Sequence, residues 1–167
     1  FPYTTLFRSQ VMADLMTIRE FKGSFKNLKV AYIGDGNNMA NSLIVGCLKL
    51  GMEITVATPK GYEPAEDILA WAKDFEGFKL VNSPVEAAKD ADVLFTDVWA
   101  SMGHEKQVEA RQTAFKGFQI NKELLKNAKS DAIVLHCLPA HRGEEITEEV
   151  FEDNAEVIFT EAENRLH

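Results

Sequence analysis

The feature that most constrains this chain is a regular alternation of short apolar runs with amphipathic segments. Residues 28–33, 54–57, 78–81, 93–96, 133–135 and 157–159 each read as a short buried strand. Between them lie helical patterns. Val11, Met12, Leu15, Ile18 and Phe21 recur at helical spacing, with Gly23 as a stop. Met39, Leu43, Cys47 and Leu48 do the same and close at Gly51. A third helix begins at Pro64 and turns Ile68, Leu69, Ala72 and Phe75 inward. Ser83-Pro84-Val85-Glu86 carries the N-cap, N1 proline and N3 acid of a capping box, and another helix covers 121–128. Strands alternating with helices of roughly 10–15 residues predict an α/β protein, a doubly wound parallel sheet with helices on both faces.

That architecture is Rossmann-like, and the first strand does end in Gly34-x-Gly36. The dinucleotide fingerprint fails at two points, however. Met39 stands where a third Gly or Ala is needed, and the second strand ends Val56-Ala57-Thr58-Pro59, without an acid for the ribose. No cofactor is expected. No metal site is expected either, because His136 and Cys137 are adjacent and no second Cys or His pair joins them.

In open parallel sheets ligands bind beyond the carboxyl ends of the strands. This selects four segments: 34–38, 97–103, 136–143 and 160–165. In the second, Asp97 at a strand end precedes Trp99, Ser101, Met102 and Gly103. Such a loop suits an amino acid, with Asp97 accepting from an ammonium group and Ser101 and the Met102 amide holding a carboxylate. Trp99 would anchor the loop; alternatively Asp97 caps the following helix and the loop is a surface turn. In the third, Cys137 is a ligand-contacting thiol or an inert buried one. There His136 is a candidate core histidine, His141-Arg142 a solvated pair, and Pro139 a stiffener compatible with a cis peptide. Asn37 reads as an N-cap, whereas Asn38 offers its amide to a substrate. Arg165 is a surface charge or a cation that polarises an electrophile.

The formal charge of −8, uninterrupted by any basic cluster, argues against nucleic acid as a partner. The two cysteines, Cys47 and Cys137, suggest no disulfide framework, so a reducing compartment is expected. No apolar run reaches the roughly 18 residues of a membrane span, which points to a protein acting in the cytoplasm without membrane association. The opening residues 1–9 have no periodicity linking them to the rest of the chain. They resemble the translation of a sequencing-adapter oligonucleotide and are set aside as non-native.

Taken together, Gln10-Val11-Met12-Ala13-Asp14, Gly34 through Asn38, Asp97 through Gly103, His136 through Arg142, and Glu161 through Arg165 resemble the ornithine carbamoyltransferase family. The resemblance spans residues 10–167. It implies an interdomain helix at 10–22 and an ornithine-binding domain at 23–167 with a truncated C-terminal helix. L-ornithine and carbamoyl phosphate are the implied substrates. Asn38, Asp97, Ser101 and Met102 would hold ornithine. Gln10, Cys137, Leu138 and Arg165 would contact the carbamoyl group, with Asp97, Cys137 (as a thiolate) and Arg165 as the catalytic set. The family's Ser-Thr-Arg-Thr phosphate loop is absent, and its His-Pro-x-Gln motif survives only as Gln10. The expectation is therefore a fragment cut at both ends, inactive alone, and monomeric where the full-length family forms homotrimers.

Overall fold

The computed structural model describes residues 2–99 and 108–167, the side chains of 2–8 and 108 excepted. Five parallel strands form one sheet: β1 (Lys29–Ile33), β2 (Glu53–Ala57), β3 (Phe78–Val81), β4 (Val93–Thr96) and β5 (Ile133–His136), in the order β3-β2-β1-β4-β5. The sheet reverses direction of winding beside β1, so the carboxyl ends of β1 and β4 flank the switch point. Thr96 bridges these two ends by donating its hydroxyl to the Ile33 carbonyl at 2.7 Å.

The helices are α1 (Pro2–Lys22), α2 (Asn38–Lys49), α3 (Glu66–Ala72), α4 (Pro84–Ala88), α5 (Val108–Ala114), α6 (Lys122–Leu125), α7 (Glu148–Asp153) and α8 (Ala155–Asn164). Strand side chains alternate between faces, and both faces are buried, giving two cores. Val30, Tyr32, Ile54, Val56, Phe95 and Leu135 pack with α1 and α2 through Leu15, Ile18, Leu43, Ile44 and Cys47. On the other face, Ala31, Ile33, Leu94 and Val134 pack against Ala87 and Ala88 of α4, Leu124 of α6 and Phe151 of α7. This is the expected doubly wound arrangement.

Several element ends follow the sequence signals, although α3 begins at Glu66, after the expected Pro64, and α6 stops at Leu125. Gly23 takes φ +73° just past α1, and its N–H returns to the Arg19 carbonyl at 2.8 Å. Asn37, Ser83, Asn121 and Thr147 cap α2, α4, α6 and α7 with their side chains. Residues 2–9, set aside in the sequence, run within α1.

One element differs. Residues 157–159, read as a sixth strand, lie inside α8. Val157, Ile158, Glu161 and Asn164 are the buried positions, a helical stripe whose last two members are polar. That stripe packs on α1, so the apolar triplet Val157-Ile158-Phe159 is a short segment of a helix face, with Phe159 half exposed. Gly36 is tightly enclosed by the chain itself. A Cβ there would come within 2.2 Å of the Glu63 carbonyl carbon and 2.3 Å of the Pro64 nitrogen. The second glycine serves the chain's own packing, since its N–H reaches the Tyr62 carbonyl at 2.8 Å.

Candidate active site

At the carboxyl edge of the sheet, three adjacent strands deliver side chains to one point. Asp97 follows β4, Cys137 follows β5, and Asn37 stands between β1 and α2. The Cys137 thiol donates to Oδ1 of Asp97 at 3.0 Å, and the Val98 N–H reaches the same oxygen at 2.8 Å. Nδ2 of Asn37 donates to the other oxygen at 2.7 Å. Asn37 meanwhile caps α2, its Oδ1 accepting from the amides of Met39 and Ala40. One residue thus starts the helix and sets the rotamer of Asp97. Asp97 is buried, and its described partners are the Cys137 thiol, the Val98 N–H and the Asn37 amide. Burial, reinforced by the charge of Asp97, raises the Cys137 thiol well above its ordinary range. The sulfur stands as a donor toward Asp97.

Asn38, the expected ligand contact, is exposed in the first turn of α2 beside the cap. Ser101 and Met102 lie outside the described residues. Their loop has a described base. Trp99 is buried against Phe115, with ring centroids 5.7 Å apart. Arg111 binds the Trp99 carbonyl at 2.6 Å and Asp35 at 2.7 Å, and its guanidinium sits 5.0 Å from the Tyr62 ring centroid. Trp99, suggested in the sequence as an anchor, is held by Phe115 and Arg111. Arg111 was not singled out, and only the fold brings it there.

After β5 the chain turns sharply. Leu138 takes φ +50° ahead of a cis Leu138–Pro139 peptide. His136 is a satisfied core residue. Its Nδ1 accepts from the Leu138 N–H at 3.0 Å, which leaves the proton on Nε2, 3.1 Å from Glu145. His141 and Arg142 are exposed. One oxygen of Glu145 also accepts from the His141 N–H, and ligand atoms of His141, Glu144 and Glu145 lie within 4.8 Å of one another. Among the described residues this is the grouping whose spacing suits a metal ion, and its Glu145 is also the partner of His136.

Beside Cys137 lies a second buried network, built from α1 and α8. Nε2 of Gln10 donates to Asp14 at 2.8 Å and to Glu161 at 3.0 Å, and its Oε1 accepts from Arg165 at 2.8 Å. Glu161 in turn accepts from the His136 N–H at 2.9 Å, tying the network to the end of β5. Gln10 and Arg165, 155 positions apart, are therefore direct partners. Asp14 and Glu161 were not singled out as site residues. The signal that could have found them is polar residues at i, i+4 spacing (Gln10 and Asp14, Glu161 and Arg165) on helix faces otherwise apolar.

A doubly wound sheet whose switch-point edge gathers a buried carboxyl, a thiol and side-chain amides has the layout of a small-molecule-binding α/β domain. Comparison with known proteins narrows this. The Asp/Orn binding domain of aspartate/ornithine carbamoyltransferase matches residues 26–167, and the chain belongs to that family. It is 53% identical over 163 residues to the ornithine carbamoyltransferase of Pyrococcus abyssi, covering 95% of this chain and 51% of that protein. With the ornithine carbamoyltransferase of Methanocaldococcus jannaschii the identity is 56% over 164 residues, covering 95% and 54%. The crystal structure of the Pyrococcus furiosus ornithine carbamoyltransferase superposes with a TM-score of 0.88 at 52% identity, covering 95% of this chain and 52% of that one. The chain thus spans about half the length of the curated relatives it matches.

Proposed function

We propose that this chain is the ornithine-binding part of an ornithine carbamoyltransferase, a cytoplasmic enzyme that makes L-citrulline and phosphate from L-ornithine and carbamoyl phosphate. The observation that carries the reading is the convergence of Asp97, Cys137 and Asn37 at the edge of β1, β4 and β5, in a chain of this family. In the reaction the δ-nitrogen forms a bond to the carbamoyl carbon, the carbon–oxygen bond to phosphate breaks, and the attacking nitrogen releases a proton. A free amine binds its proton with a pKa near 10, so the ammonium must be deprotonated before attack. Asp97 accepts hydrogen bonds from the amine and, with the Cys137 thiol, aims its lone pair. Asn38, Ser101 and the Met102 amide hold the amino-acid end.

On this reading Gln10, Leu138 and Arg165 face the carbamoyl group, where Arg165 stabilises charge growing on its oxygen. The rest of the rate gain comes from holding two substrates together. Helix α1 then serves as the link to a carbamoyl phosphate domain. The chain alone binds ornithine, does not turn over, and is monomeric.

Calorimetric titration with ornithine and with putrescine, on the chain and on Asp97→Ala, tests this. Ornithine-selective binding lost in the variant supports the assignment. Equal or better binding of putrescine would transfer the site to another amine. No binding of either to folded chain would remove the ornithine site.

A further inference from the structure

The densest cluster of buried ionisable groups outside the Asp97–Cys137 pair lies where α1 crosses α8. Asp14 is fully buried, as is Glu161, and a single amide nitrogen, Nε2 of Gln10, contacts both. That nitrogen has two hydrogens, and both are committed. Glu161 receives a further donor, the His136 N–H. The second oxygen of Asp14 receives no N–H or hydroxyl, and the one amide nitrogen that both acids share brings the two carboxyl groups together in the interior. Two acceptor-only groups held together in a dry site are relieved when one of them holds a proton.

We propose that Asp14 and Glu161 form a proton-sharing carboxyl pair that positions Gln10 and the amide at the end of β5. The proposal rests on the reading of Gln10 as a carbamoyl contact. Neither acid touches substrate in it. The pair acts through Gln10, whose amide nitrogen it pins so that Oε1 faces Arg165, and through His136, whose N–H it holds beside Cys137. Loss of the shared proton would set two negative charges against each other in a dry site, and Gln10 would turn to relieve them.

The surroundings favour retention of the proton. The cation facing the pair is Arg165 at the end of α8, and its hydrogen bond goes to Gln10. From the other elements the pair meets Asp97 after β4, Cys137 after β5, and Cys47 of α2. Burial is the main cause that raises both acids, Asp14 to about 7 and Glu161 well above its ordinary range, and their protons belong to the pair jointly.

Carbon-13 NMR titration of the chain, with aspartate and glutamate carboxyls selectively labelled, tests this. Two carboxyl signals should show linked midpoints at least one unit above the ordinary value of about 4. The side-chain amide of Gln10 and the backbone amide of His136 should shift at the same midpoints. Asp14→Asn keeps a donor toward Glu161 without a second charge. It should lower the Glu161 midpoint by at least one unit and leave the Gln10 signal independent of pH. Independent titration of the two acids near 4, or Gln10 and His136 signals that stay flat throughout, overturns the proposal. The wild-type titration decides alone should the variant not fold. The ornithine titration is a separate readout, so failure of either reading is visible without the other.

Discussion

At the residue scale the site turns on Asn37, which performs two tasks that different substitutions separate. Asn37→Ala removes both the cap and the donor to Asp97. It should lower unfolding free energy by about 1 kcal/mol in urea denaturation, as lost caps do, and weaken ornithine binding about tenfold in calorimetry, the equivalent of one charge-assisted hydrogen bond. Asn37→Asp keeps an acceptor for the Met39 and Ala40 amides but places a carboxylate against Asp97, whose nearer oxygen lies 2.7 Å from Nδ2. The cap should survive and ornithine binding should fall further than in the alanine variant. Cys137→Ser retains a hydroxyl donor to Asp97, so affinity should stay within about threefold, the scale of a hydrogen bond exchanged for a similar one. Cys137 was legible from its place after a buried strand. Asn37 was legible only as a cap, because nothing local in sequence shows that Asp97 lies against it from 60 positions away. Leu138 was expected near the carbamoyl group, and its described role is the turn itself, with its N–H held by His136.

At the element scale, the strands that carry the site were readable because each is a short apolar run bounded by turn residues, and β1 to β5 fall where expected. The failure at α8 has a physical cause. A helix whose buried stripe continues from Val157 and Ile158 into Glu161 and Asn164 shows no apolar period beyond its first turn. The polar half of that stripe is buried because α1 supplies partners: Gln10 for Glu161, and Thr17 for Asn164 at 3.0 Å. Gly36 belongs to the Gly34-x-Gly36 pattern that fails as a dinucleotide fingerprint. Its actual neighbour is the backbone of residues 62–64, so Gly36→Ala forces that segment away and should destabilise the fold by about 1–3 kcal/mol, the range for overpacking. Thermal or urea unfolding measures this, with Gly61→Ala as a comparison whose Cβ meets nothing within 4 Å although its φ of +86° adds strain.

At the scale of the whole molecule, the buried acids govern how stability varies with pH. The folded state binds a proton at Asp14 up to about pH 7, whereas the unfolded chain releases it near 3.8. More protons bound in the folded state mean that stability falls as pH rises. The contribution is fully present below about pH 4 and is lost on the way to about pH 7 and above. Urea denaturation of the wild type should thus show declining stability between pH 5 and 8, and Asp14→Asn should flatten that decline. A wild type with constant or rising stability across this window, matched by the variant, would contradict the burial argument.

The hydrogen bond between Gln10 and Arg165 also sets a clock on synthesis. It closes a loop of nearly the entire chain, and the Glu161 contact to the His136 N–H belongs to the same closure. A ribosome delivers α1 before the strands and α8 after them, so the sheet can collapse while Gln10 and Asp14 still face water. A nascent chain can hence look folded to a probe of its sheet before the network around Gln10 exists. That network closes only after Arg165 has left the exit tunnel.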